Sequence, residues 1–372
     1  MRIRAAALVT LWLALVGSSA SFAERVTLSY AENFSIENWD TYTLVTVRNP
    51  WRGSGQTQFR YALVPKEHSD FEIPQDARLI RTPIERLSLM ETVYLSHVNA
   101  LDSYEALVGL AHEELASDAE TRRRIEAGAV KPIPAKGTLD VESLILLRSD
   151  AIFTSAMGSP QFDVHPQLAR ARQPVVVTAE YMESHPLGRS EWIKFTAAFL
   201  GREEEAARIF DSIERRYLAL RHLTREVDRR PTVFSNAPFG GVWHAPGGRS
   251  FTARVIADAG GQYIFADDET SGGVPKDFES VYFRAAEADV WLHPGTARSM
   301  DALLEVDPRF ERFAAFQKGA VYNNTRLWGP GGRNAIWERG ILHPEESLAD
   351  LIAILHPELR TGHEFIYYEQ LK

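Results

Sequence analysis

Asp140-Val141-Glu142-Ser143-Leu144 and Asp277-Phe278-Glu279-Ser280-Val281 nearly repeat each other within one chain. Each opens an apolar run of helical spacing that passes through an Asp into a short strand-like segment, LILLRSDAIFTSA in the first copy and VYFRAAEADVWLHPG in the second. A helix feeding a core strand, written twice, predicts two wound α/β lobes of similar plan. A two-lobed protein offers the cleft between its halves as the default binding site. In each copy the Asp suits the N-cap and the Glu falls in the first turn, where an acid complements the positive end of the helix.

Outward from the repeats, YTLVTVRNP and TQFRYALVPK alternate apolar and polar residues around Gly53-Ser54-Gly55. This predicts a β-hairpin, the centre of an N-terminal β extension over residues 24–80 that decorates the edge of the first lobe. Residues 81–188 read as the first lobe, with ERLSLM and Gln173-Pro174-Val175-Val176-Val177 as strands and HVNALDSYEALVGL as a helical segment. Residues 189–228 lack strand signals. From Glu203 to Val227 acids come first and bases last, and Ala206, Ile209, Phe210, Ile213, Tyr217 and Leu220 share one face. A helix of about 25 residues spans roughly 37 Å, enough to join two lobes. Residues 229–372 form the second lobe: a strand at Pro231-Thr232-Val233-Phe234, a turn at Ala245-Pro246-Gly247-Gly248, the helix FTARVIADAG, the second repeat, and a final helix from Pro344 to Leu355.

Residues 1–23 carry the marks of an export signal: Arg2 and Arg4, an apolar stretch from Ala5 to Val16, and Ser21-Phe22-Ala23 as a cleavage site. That stretch is about a dozen residues, short of the roughly 20 that span a bilayer. The expected product begins near Glu24, is periplasmic, and has no lipid attached through cysteine, because the chain has none. The formal net charge of −9 argues against nucleic acid, which calls for a basic face. A chain of 372 residues exceeds what one core usually organises.

No GxSxG, GxxxxGKS or HExxH occurs, and the 11 histidines do not cluster, so neither catalytic residues nor a protein-built metal site is expected. Ligands of open α/β sheets sit beyond the carboxyl ends of strands. Positions of that kind hold Met90, Glu91, Lys136, Thr154, Tyr181 and Trp243, and the irregular run TRLWGPGGRNAIWERG adds Trp328, Arg333, Asn334 and Trp337. These aromatics with a few polar groups suit a large, partly apolar ligand, with Arg333 and Lys136 placed to offset negative charge. A secreted enzyme using Glu91 or Glu180 as acid or base is the competing reading, and a receptor for bare metal ions is a third. Glu142 and Glu279, equivalent acids on equivalent lobes, suit a partner that itself has two equivalent halves.

GTLDVESLILLRSDAIF, PKDFESVYFRAAEADVWL, VWHAPGGRSFTARVIADAGG and GGRNAIWERGILHPEESLADLIAILHPEL together resemble the periplasmic substrate-binding proteins of ABC importers for iron-siderophore complexes, haem and cobalamin. The resemblance runs from about Pro83 onward. It departs from the pattern at Leu147 to Asp150, which reads LRSD, and at Met90-Glu91-Thr92, which lacks a small hydroxylated run. It implies two lobes joined by one long stiff helix, a metal chelate held between them without an intrinsic cofactor, and a monomer. It further implies that Glu142 and Glu279 dock into arginine pockets of a permease dimer, and that Trp328, Arg333, Asn334 and Trp337 lie in or beside the cleft.

Overall fold

The structure is a computed structural model that describes residues 23–135 and 139–372. The expected export signal, up to Phe22, and Lys136 lie outside the described residues. Among the described residues no helix is long and apolar enough to cross a membrane.

Three five-stranded sheets and one small one carry the fold. The first contains β1 (Glu24–Arg25), β2 (Phe34–Asn38), β3 (Thr43–Arg48), β4 (Gln58–Pro65) and β5 (Ala77–Thr82) in that order, antiparallel except for the last pair. In the second, β6 (Leu87–Leu89), β7 (Leu107–Ala111), β8 (Lys131–Ile133), β9 (Ala151–Ser155) and β10 (Val175–Thr178) are interleaved with α1 (Leu95–Ala100), α2 (Ala119–Glu126), α3 (Val141–Leu147) and α4 (His165–Arg170). Its order is β10-β9-β6-β7-β8, parallel throughout. Such strands are covered on both faces, which is why Val175–Thr178 is one uninterrupted buried run.

Two helices follow, α5 (Pro186–Leu200) and α6 (Glu203–Leu223), separated at Gly201, whose φ of 67° suits a residue without a Cβ. The third sheet has the order β14-β11-β16-β17-β18, built from β11 (Thr232–Ser235), β14 (Gln262–Tyr263), β16 (Val290–Leu292), β17 (Val321–Asn323) and β18 (Glu369–Gln370). Only β18 is antiparallel. Beside it β12 (Pro238–Phe239), β13 (Val242–Pro246) and β15 (Gly273–Lys276) make the small antiparallel sheet. The remaining helices are α7 (Phe251–Asp258), α8 (Phe278–Ala285), α9 (Met300–Val306), α10 (Ala314–Gln317), α11 (Arg339–Leu342) and α12 (Pro344–Leu355).

The two repeats fold alike. Asp140 accepts a hydrogen bond from the Ser143 N–H at 3.1 Å and caps α3, and Asp277 accepts from the Ser280 N–H at 2.6 Å and caps α8. Leu144 and Val281 then enter the core. The second Asp of each copy, at the foot of the following strand, ties that strand to its neighbour. Asp150 accepts the Glu85 and Arg86 N–H groups at 2.8 and 3.0 Å, ahead of β6, and Asp289 accepts the Thr232 N–H and hydroxyl at 2.9 and 3.0 Å, at the start of β11.

The long helix α6 links the two parallel sheets. It has 21 residues and spans about 31 Å, ending four residues before the expected Val227. It stops where the Thr224 hydroxyl turns to the carbonyls of Arg221 and Asp258, at 3.0 and 2.7 Å. Ala206, Phe210, Ile213 and Tyr217 are its buried face. Tyr217 donates to Asp258 at 2.9 Å, and Arg216 pairs with Glu345 of α12 at 2.7 Å.

Two expectations change. The segment HVNALDSYEALVGL is α-helical only at its start, has a single 3-10 turn at Tyr104–Ala106, and ends in β7, a largely buried strand. The N-terminal hairpin exists as β3 and β4, but it is part of a five-stranded sheet set into the core rather than an edge decoration. Phe34 packs 4.7 Å from Trp192, and the Val177 N–H of β10 donates to the Tyr61 hydroxyl at 2.6 Å. Two buried carboxylates hold the approach to β2. Glu191 accepts the N–H groups of Ser29, Tyr30 and Ala31 at 3.0, 2.8 and 2.9 Å, and Glu183 accepts those of Glu32 and Asn33 and the Trp192 indole.

Glu191→Ala leaves three backbone donors and Lys194, 2.8 Å away, without their acceptor. It is expected to destabilise the fold by about 3 kcal/mol or more, measured by urea unfolding.

Candidate ligand-binding site

Strand order decides where this fold makes a crevice. In the second sheet β6 has β7 on one side and β9 on the other, and in the third β11 has β14 on one side and β16 on the other. Successive connections therefore leave the first strand in opposite directions, and the gap beyond the carboxyl ends of β6 and β9, or of β11 and β16, stays open to a ligand.

The β11/β16 gap holds a cavity of about 580 Å³, within the usual range for a small-molecule site. Its floor is Asn236 after β11, His293 after β16, and Asn324 and Thr325 after β17. Phe251, Val255 and Ile256 of α7 and Ile341 of α11 supply apolar wall, and Tyr368 lies before β18. Trp328, Asn334 and Trp337 close one side, and Phe239 and His244 of the small sheet the other. Trp337 and Phe239 are 57 % and 85 % exposed, so the wall also carries apolar side chains open to solvent. Among the described residues no charged side chain lines it.

The polar groups of the wall are held in place. His293 adopts the left-handed region at φ 54°, with Nδ1 3.2 Å from the Ser235 hydroxyl and Nε2 2.5 Å from that of Tyr368. Burial pushes its pKa down to about 4, so it stays neutral at physiological pH. Asn334 donates to the Asn324 carbonyl at 2.8 Å and accepts the Ile336 N–H at 3.3 Å, and its backbone bridges to Trp328. The loop carrying both tryptophans is thus tied to the end of β17.

Of the described residues singled out from sequence, Trp328, Asn334 and Trp337 meet in this cavity; the other described ones lie elsewhere. Trp243 is a core residue: 1 % exposed, it donates to the Ser235 carbonyl at 3.0 Å and packs against Phe234, Trp291 and Phe310. Arg333 folds across Gly329, where an added Cβ would meet its Nε at 2.3 Å, and is absent from the wall. Met90 is buried in a separate apolar cluster with Ile133 and Leu144. Tyr181 donates to the Ala156 carbonyl at 2.6 Å and to that of Pro50 at 3.2 Å. Glu142 and Glu279 are both exposed. His293, Asn236 and Tyr368 were missed; the one available signal was their place just beyond or before core strands.

Glu91 and Thr154 meet at the β6/β9 gap instead. One carboxylate oxygen of Glu91 accepts the Ser155 N–H and hydroxyl, each at 3.0 Å, and the Thr154 hydroxyl at 3.3 Å. The other oxygen is sealed without a partner. Burial raises the Glu91 pKa to about 7 against the pull of those hydrogen bonds, with Glu180 adding to the rise. Glu180 itself accepts from Tyr94 and pairs with Arg189, both at 3.2 Å.

The tryptophan-bearing loop also touches the first half of the chain. Gly331, at φ 79°, sits so near the Glu114 carbonyl that a Cβ would come within 3.2 Å, and Glu338 accepts the Ser117 N–H and hydroxyl at 2.7 and 2.6 Å. Burial lifts the Glu338 pKa to about 6.

With this geometry in view, a comparison with known families is decisive: the family described as periplasmic binding protein matches residues 98–325, more than half of the chain. The chain belongs to the periplasmic binding protein family. An uncharacterized lipoprotein of Methanocaldococcus jannaschii is 24 % identical over 369 residues, covering 92 % of this chain and 85 % of the relative. A solved ABC-type Fe3+-hydroxamate transport system from Saccharomonospora viridis shares the fold with a TM-score of 0.54 and 18 % identity, covering 75 % of this chain and 94 % of its own. A periplasmic heme binding protein from Pseudomonas aeruginosa does so with a TM-score of 0.57 and 17 % identity, covering 78 % and 98 %.

Glu91 and Glu338 favour the protonated form in the fold, so their stabilising contribution is full below about pH 4.5, the ordinary value, and is lost as pH rises to about 7 and about 6. Urea unfolding is expected to show roughly 4 kcal/mol less stability from these groups at pH 7.5 than at pH 4.5. Glu91→Gln should flatten that slope.

Proposed function

We propose that this binding protein captures a metal chelate, a ferric siderophore or haem, with a corrinoid as the further member of the class, and delivers it to an inner-membrane ABC importer. The observation that carries this reading is the 580 Å³ cavity at the β11/β16 gap, walled by aromatics, amides and a neutral histidine. Such a wall offers a bulky, flat or globular ligand apolar contact over most of its surface and hydrogen bonds at a few edges. No bond is made or broken; the ligand leaves as it came.

In this reading residues 81–188 and 229–372 are two lobes, 189–228 join them, and 24–80 pack against the first. Export by residues 1–23 places the mature chain in the periplasm as a monomer. Glu142 and Glu279, exposed first-turn acids of α3 and α8, meet basic pockets on the two halves of the permease.

Titration of the mature chain with a ferric hydroxamate, haem and cyanocobalamin, followed by tryptophan fluorescence, is expected to show saturable quenching by one of them and recovery of the ligand unchanged. Trp337→Ala should weaken that binding about tenfold. Binding of none of the three, or chemical turnover of the bound one, removes the assignment. Glu142→Ala and Glu279→Ala are expected to depress uptake into cells while ligand affinity holds, and full uptake by both variants would refute the docking role.

A further inference from the structure

The repeats share a second surface feature. Leu146 of α3 and Phe283 of α8 occupy the same place counted from the capping Asp, four residues after Glu142 and Glu279. Residues four apart share a helix face, so each copy sets one acid beside one large apolar side chain. Both apolar side chains point into solvent: Leu146 is 80 % exposed and Phe283 88 %. Their neighbours Leu144, Phe278 and Val281 are buried, so neither helix lacks a core for its apolar residues. A single exposed leucine needs no explanation. The same exposure, at the same register, beside the same acid, on both copies of an internal repeat, requires one.

Acids outnumber bases around the two positions, with Arg148 exposed near Leu146 and Lys276 in the groove beside Phe283 among the cations. Glu142 has no ion-pair partner among the described residues, and Ile145, 46 % exposed, widens the apolar patch beside it. Glu279 stands 3.1 Å from Arg309, whose guanidinium is also held by Asp307 at 2.8 Å and lies over the Phe278 ring. Phe283 borders a shallow groove with Asp267, Asp268 and Glu279, where Arg284 is already engaged by Asp267 at 2.6 Å.

We propose that Leu146 and Phe283 are paired apolar anchors that seat in a pocket on each half of a two-fold symmetric membrane permease, beside the basic group that meets the neighbouring glutamate. This rests on the docking role of Glu142 and Glu279 given above and extends it. The acids orient the encounter and speed it; the apolar side chains, once dehydrated, slow its reversal. A second copy of this chain is a poor occupant, since it brings acids to acids on a molecule of net charge −9.

The test uses proteoliposomes holding the partner permease with its ATPase, with ATP hydrolysis measured against increasing ligand-loaded mature chain. Leu146→Ser and Phe283→Ser, at exposed positions, are each expected to raise the half-maximal concentration about tenfold, with ligand affinity by tryptophan fluorescence unchanged. A wild-type response from both variants overturns the proposal. Glu142→Ala and Glu279→Ala, run in parallel, separate the two failures: if they weaken coupling and the serine variants do not, the anchors alone are wrong; if none does, the docking reading falls with them. A wild-type dimer in sedimentation velocity that Phe283→Ser dissolves would assign this face to a second copy and also overturn the proposal.

Discussion

Two aspartates at equivalent positions set up the functional half of this architecture. Asp150 ties the foot of β9 to the residues ahead of β6, and Asp289 ties the foot of β16 to that of β11. Each is a carboxylate accepting donors at a strand start, two for Asp150 and three for Asp289, which also takes Arg229, a charge-assisted arrangement stronger than neutral hydrogen bonds. By fixing which strands lie side by side, the pair fixes where the strand order reverses, and hence where each parallel sheet leaves a gap at its carboxyl edge. The cavity follows from that reversal in the third sheet. In the second, the same reversal is occupied by the protein's own Glu91, Thr154 and Ser155.

This difference between the halves has an electrostatic side. The β6/β9 gap holds a buried carboxyl whose pKa is raised to about 7, whereas the cavity at β11/β16 holds a histidine lowered to about 4 and no charged side chain among the described residues. Both shifts have burial as their leading cause, and both favour neutral groups. A site of neutral donors and aromatic faces discriminates by shape and hydrogen-bond pattern more than by net charge.

Local rules made much of the fold legible. The capping aspartates, the apolar spacing of α6 and the span of α12, Pro344 to Leu355, all follow from short-range pattern. What escaped depends on contacts far apart in the chain. Glu191 and Glu183 gather the backbone of residues 29–33 from 150 to 162 positions away, and no local pattern reveals that the first sheet is set into the core. Trp243 read as a site residue beyond the carboxyl end of a strand, but it lies within β13, which pairs on both sides and turns the indole inward. Arg333 is displaced from the wall because Gly329 lets its side chain fold across the loop. His293 went unmarked because a lone histidine carries no pattern until the strand order puts it at a reversal.

The loop between β3 and β4 binds this design together in a way that governs movement. Trp51 lies against Gly158 and within 6.0 Å of the His165 ring, on the first half of the chain, while the neighbouring Arg52 presses its guanidinium onto Gly272 on the second. A hinge rotation about α6 must therefore slide Arg52 off Gly272 or drag the whole first sheet along. Such a strap resists separation of the two halves of the chain, as does the Glu338 carboxylate that accepts from Ser117.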